Sequence, residues 1–227
     1  MTDGPYYFST RPPRENARRS VATLLLVEGS ADLALAGALA KKLKKTEVQI
    51  FDMNGKDNDW AGTLKFALSG QEGLAIRSVG LIVDADTSTE VAFNYASEIL
   101  IGAGLAAPPD SSSQAKATSP TAPHEISSSI FVTSATGNSS GNLDDLVLEY
   151  FDSNVDNSCI DNYAKCVLSR DHFNLDTKSK NQIHLATRKK SLPSIEMGIR
   201  RGVIDVDHST FLTLKNWLDM TIAKATI

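Results

Sequence analysis

The chain has 227 residues, 41% of them hydrophobic and 22% charged, with a formal net charge of −4. This is the balance of an ordinary globular chain with ample material for a core, and no apolar run approaches the ~20 residues that a membrane-spanning helix needs. The acidic balance does not advertise nucleic-acid binding. Nor does it exclude it, because a carboxylate–metal site places negative charge where cations would sit.

The first twenty residues, rich in proline and arginine, lack the apolar segment of a signal peptide and read as a loosely ordered arm. Residues 23–27 (TLLLV) form a short apolar run with the length of a strand buried on both faces. A helix is expected over 31–44, with Leu35, Leu39 and Leu43 on one side and four lysines crowding its last turn, where they suit the macrodipole. Those lysines read as a solvated helix end before they read as phosphate ligands. A strand over 48–51, the turn Asn54-Gly55, a helix over 60–68 closed by Gly70, a strand over 79–83 and a helix over 90–101 follow. Strand and helix alternate, which predicts an α/β fold with a parallel sheet between helices.

The order breaks at about 105–126, where prolines and serines replace large apolar residues, and this stretch reads as a surface insertion. A strand at 130–132 restores the pattern. A Gly- and Ser-rich loop then leads into a helix at Asn142 or Leu143, with Asp144 and Asp145 in its first turn. Further helices are expected over 156–169, 178–189, 194–201 and 209–225. Cys159 and Cys166 fit no disulfide framework or zinc site and read as buried or half-buried free thiols, which suits a cytoplasmic location. The division expected is an arm over 1–20, an α/β domain over 21–151 and a helical extension over 152–227.

The informative feature is where the acids fall. Glu28 ends the first apolar run, and Asp84 and Asp86 end the run 80–83. In an open α/β sheet, ligands collect at the carboxyl ends of the strands. Asp32 follows Glu28 by one helical turn and would face the same place. Four carboxylates meeting on adjacent strand ends are unstable without cations, and hard oxygen ligands suit Mg²⁺ or Mn²⁺. For Asp144, helix capping and metal ligation are equally open readings.

The Val27-Glu28-Gly29 and Asp32 pair, followed downstream by Asp84-x-Asp86, resembles the signature of the Toprim domain of topoisomerases, primases and the overcoming-lysogenization-defect nucleases. The whole chain from Val21 onward is similar to the small Toprim-like family DUF3226, through the Gly141–Asp145 helix start, the run from Lys178 to His184 and the closing Phe211 to Leu218. Two departures stand out: Asp144 replaces a longer glutamate, and Arg188-Lys189-Lys190 replaces an apolar segment. The resemblance implies a four-stranded parallel sheet with a C-terminal helical extension. It also implies roles. Glu28, Asp32 and Asp84 would hold one ion, Asp86 and Asp144 would help with a second, and Gly29 and Asp145 would stand behind them. Glu28 would serve as general acid or base and Lys180 would offset charge on the phosphorus, with Lys178 competing for that part.

The expected activity is therefore that of a small Mg²⁺-dependent nuclease acting on DNA or RNA, with a homodimer as one way to complete a nucleic-acid groove and no membrane partner. The rival readings are a non-catalytic module that binds metal and either nucleic acid or protein, and a hydrolase of nucleotides or small phosphates. The five tyrosines lie in no recognisable strand-breakage module, which argues against a topoisomerase. The histidines read as structural or surface residues.

Overall fold

The computed structural model describes residues 7–9, 21–45, 47–118, 124–154, 158–171, 175–187 and 191–222. A six-stranded sheet carries the fold. Its strands are β1 (Tyr7–Ser9), β2 (Thr23–Val27), β3 (Val48–Asp52), β4 (Ser78–Asp84), β5 (Ala115–Thr118) and β6 (Glu125–Thr133), in the order β1-β3-β2-β4-β6-β5. All neighbours are parallel except β5, which runs antiparallel to β6. The four expected parallel strands are thus the centre of the sheet, with one short strand added at each edge.

The connections set the two layers. From β2 the chain passes through α1 (Ser30–Lys42) to β3 on one side. It then returns across β2, through α2 (Trp60–Leu68) and α3 (Gly70–Gly73), to β4 on the other side. Right-handed crossovers running in opposite directions put their helices on opposite faces. Accordingly α1 packs on one core with Leu25, Val27 and Ile82, while α2 and α4 (Thr89–Gly102) pack on the other with Leu24, Leu26 and Leu81. Alternate residues of β2 feed each core, and all five are buried, which is why the sequence shows an unbroken apolar run there.

The C-terminal half consists of α5 (Leu143–Asn154), α6 (Ser158–Asp171), α7 (Thr177–Ala186), α8 (Ile195–Arg200), a 3-10 turn (Ser209–Phe211) and α9 (Leu212–Thr221). Val147, Phe151, Leu185, Ile199, Phe211, Trp217 and Leu218 from these helices share the core of α1 and β2. Buried polar contacts tie the extension to the sheet: the hydroxyls of Ser129 on β6 and Thr221 on α9 lie 2.7 Å apart. Tyr150 on α5 is a clamp, its hydroxyl donating to Val203 O at 3.2 Å and accepting from Asp205 N at 3.1 Å.

Several expectations change. Of the N-terminal arm, residues 7–9 pair with β3; the remainder lies outside the described residues. In the insertion, residues 115–118 form β5, an edge strand held by backbone bonds without an apolar signature; residues 119–123 lie outside the described residues. Strand β6 begins five residues earlier than expected, because its polar Ser128 and Ser129 are fully buried; the Ser128 hydroxyl is bonded to Ala106 O and that of Ser129 to Thr221. Cys166 is an exposed free thiol rather than a core residue, since its face of α6 turns outward, and the Cys159 side chain is outside the described residues. The lysines at the end of α1 make ion pairs, Lys42 with Asp207 at 2.7 Å and Lys45 with Asp219 at 2.9 Å. His184 is buried and stacked on Phe151, with ring centroids 4.6 Å apart; His172 and the 188–190 segment lie outside the described residues. No helix among the described residues is long and apolar enough to cross a membrane.

Candidate metal centre

Because β3 and β4 flank β2 on opposite sides, the chain reverses direction across the sheet between β2 and β4. In such sheets ligands usually bind at that switch point, beside the carboxyl ends of the two strands. Glu28 follows β2 there, and Asp84 ends β4. The two meet: Glu28 Oε2 accepts from Asp84 N at 3.1 Å. Asp32, in the first turn of α1, reaches back so that its Oδ2 accepts from Gly29 N at 3.1 Å. This bond helps to start the helix and holds the carboxylate beside Glu28.

The electrostatics record how tightly these acids are packed. Burial, followed by the charges of Asp32 and Glu28, pushes Asp84 up to about 9, against the pull of a hydrogen bond from Leu143 N. Burial and then Glu28 push Asp32 up to about 7. Asp52, at the end of β3, is also raised, chiefly by burial, and adds a small repulsion on Asp32. Asp52 and Lys56 are the residues that the sequence reading missed. For Asp52 the signal was available: the rule that singled out Glu28 and Asp84 applies equally to the end of β3.

Lys56 supplies the positive charge at this rim. Its Nζ donates to Asp84 O at 2.8 Å, bonds Asp86 Oδ2, and lies 3.7 Å from Glu28 Oε2. Desolvation pulls its pKa down, but the bond to Asp86 and the charges of Glu28, Asp86 and Asp84 outweigh this and raise it. Asp86 sits in the left-handed region (φ 49°) and pairs through its backbone with Gly141, so the loop after β4 is stitched to the loop before α5.

The start of α5 forms the third wall. Asn142 and Asp145 cap it reciprocally: Asn142 Oδ1 accepts from Asp145 N at 3.2 Å and Asp145 Oδ2 accepts from Asn142 N at 3.0 Å. Asp145 Oδ1 also accepts from Thr177 Oγ1 at 2.8 Å, so the helical extension braces this cap. Leu143 N donates to Asp84 Oδ1 at 3.2 Å, which aims the helix N-terminus at this half-buried acid. Asp144 is set apart, with Asn181 Nδ2 donating to its carbonyl at 2.7 Å. It lines a cleft of about 240 Å³ with Ser30, Lys178, Asn181 and Glu196; Lys180 is not among the lining residues. A larger cavity of about 490 Å³, lined by Phe131, Leu214 and Trp217, contains none of the acids.

Thus Glu28, Asp32 and Asp84 are brought together, Asp86 is engaged by Lys56, and Asp144 faces the adjoining cleft. The donor chemistry fits a hard divalent cation: carboxylates pushed toward protonation by burial and then by one another's charge are relieved by positive charge. The oxygens are not pre-set as ligands, however. Among the described residues no group of three or more His, Cys, Asp or Glu already stands in a metal-holding arrangement, since backbone N–H groups and Lys56 engage the carboxylates.

Fold and rim together define an α/β protein with a mostly parallel sheet and an acidic cluster at its strand ends. The chain belongs to the DUF3226 family, described as proteins of unknown function, whose profile matches residues 22–222. Among solved structures it resembles a hypothetical protein from Pyrococcus horikoshii OT3, with a TM-score of 0.55 and 11% identity, covering 88% of this chain and 94% of that one. The C-terminal region of the Burkholderia pseudomallei OLD protein superposes with a TM-score of 0.44 and 16% identity, over 89% of this chain and 99% of that one. No curated protein matches.

Proposed function

We propose that this protein is a Mg²⁺- or Mn²⁺-dependent phosphodiesterase, a small nuclease, in which Glu28, Asp32 and Asp84 hold the ion. The observation that carries this reading is the meeting of Glu28 and Asp84, at two adjacent strand ends, with Asp32 from the first turn of α1, at the sheet's switch point. Asp84 and Asp32 are pushed toward protonation there by burial and then by their neighbours' charges. A bound divalent ion would act there as a Lewis acid on a phosphoryl oxygen. Glu28, whose side chain is half-buried, would exchange a proton with an attacking water or a departing hydroxyl. Lys178 on the wall of the adjoining cleft offers a charge for a backbone phosphate, a part that the sequence reading gave first to Lys180.

The test is nicking of plasmid DNA and cleavage of single-stranded RNA in Mn²⁺. Glu28→Gln and Asp84→Asn should each lower the rate about 100-fold or more, the range for losing a group that acts in the transition state. Equal inertness of the wild type and both variants, with metal still bound, would overturn the catalytic reading. One observation favours the rival, a metal-dependent binding module: each of the three carboxylates accepts a backbone N–H, so the fold itself holds the rim in place. Retention of DNA or RNA on the inert wild type, lost with EDTA, would mark that case. Turnover of nucleotides or polyphosphate but not of either polymer would mark a small-phosphate hydrolase.

A further inference from the structure

The loop after β3 is far more constructed than a surface turn requires. Asn54 (φ 55°) and Gly55 (φ 98°) are both left-handed, so the chain reverses sharply. Asp52 Oδ1 accepts from Asn54 N at 2.8 Å, and Gly55 N donates to Glu28 O at 2.9 Å. Trp60 Nε1 donates to Gly55 O at 3.0 Å, and Asn58 Nδ2 donates to Met53 O at 2.8 Å. Tyr95, from α4, donates its hydroxyl to Lys56 O at 2.9 Å. Side chains from two helices and the loop itself thus fix the backbone from Met53 to Lys56. What that backbone delivers is the Lys56 ammonium, set among Asp84 O, Asp86 Oδ2 and Glu28 Oε2. A solvated lysine needs no such support.

Three oxygens around one compact positive charge is the environment that a second divalent ion would have needed. We propose that the Lys56 ammonium is the site's built-in cation: it holds the Asp86 side of the cluster, limits the chain to one divalent ion at Glu28, Asp32 and Asp84, and weakens that ion's binding by like-charge repulsion. The inference rests on the metal reading given above. It assigns Asp86 to Lys56 and not to a metal, against the two-ion expectation from the resemblance. Lys56 is a positioning and charge-setting residue, and its removal acts on cation binding before it acts on any rate. A single and a double positive charge about 5 Å apart repel strongly enough, even at a water-like dielectric, to change affinity by about tenfold.

The test is Mn²⁺ binding to the full chain, read as free Mn²⁺ by electron paramagnetic resonance, for the wild type, Lys56→Met, Lys56→Arg and Asp86→Asn. Wild type should bind one ion. Lys56→Met should bind its first ion about tenfold more tightly, and Lys56→Arg should stay within about threefold of wild type because it keeps the charge. Two ions on wild type, no tightening in Lys56→Met, or tightening in Lys56→Arg equal to that in Lys56→Met would each overturn the inference. If Lys56→Met does not fold, Asp86→Asn decides: it should retain one ion per chain, and loss of that ion would make Asp86 a metal ligand and refute the assignment. Binding by Lys56→Met but not by wild type would contradict the single ion assigned to the wild type and overturn the inference. Binding by no variant would remove the metal reading itself, whereas binding by wild type without tightening in Lys56→Met would remove only this inference.

Discussion

Asp84 makes the residue-scale account measurable without any substrate. Its carboxyl is raised to about 9 from an ordinary 3.8 by burial and by the charges of Asp32 and Glu28. An acid raised in the native state binds a proton there that the unfolded chain has already released, so its contribution to stability falls as pH rises between the two values. Asp32 acts in the same direction up to about 7. Melts in EDTA should therefore show declining stability from about pH 5 to pH 9. Asp84→Asn should flatten most of that slope and exceed wild type at pH 8 by on the order of 1–3 kcal/mol, the cost of a mismatched buried polar group. A wild-type profile flat over this range would show that the acids are not buried and charged as described. The same coupling makes metal affinity rise with pH, because binding displaces protons. Glu28, Asp32 and Asp84 were legible in the sequence because each follows a recognisable apolar run or its helical turn. Lys56 was not, since a lysine after Asn-Gly looks like any turn residue until Tyr95 and Asp86, thirty or more positions away, are seen to hold it.

At the scale of elements, β4 shows why the sheet and the extension form one core. A Cβ at Gly80 would come within 2.8 Å of both Trp217 and Thr221 on α9 and within 2.6 Å of Leu25 on β2. Gly80→Ala should therefore destabilise the protein by about 1–3 kcal/mol through overpacking, measured by urea denaturation. Unchanged stability would mean that α9 is not seated on β4. The central strands and α1, α2 and α4 could be read from the sequence because apolar runs and helical periods are local signals. Edge strands β1 and β5 could not, because their partners' backbone supplies the stabilisation and their side chains add little pattern. The start of β6 was hidden for the opposite reason: Ser128 and Ser129 are polar yet buried, and only the distant Ala106 O and Thr221 explain how.

The whole molecule is organised by one reversal of strand order. Placing β2 between β3 and β4 brings the acids after residue 27 to those at 84 and 86, and packs the helices of the extension behind them. The extension's part in this is concrete: Thr177 and Asn181 on α7 hold Asp145 and Asp144, and α5 in turn presents Leu143 N to Asp84. The sequence alone allowed the convergence to be expected but not the way in which Lys56 and backbone N–H groups balance the charge, since that depends on loop geometry. Anomalous diffraction from crystals soaked in Mn²⁺ tests the central claim most directly. The account predicts one strong peak about 2.1 Å from carboxylate oxygens of Glu28, Asp32 and Asp84, the spacing of Mg²⁺-type ions. No peak beside these acids at saturating Mn²⁺, or a peak bound only by other residues, would contradict it.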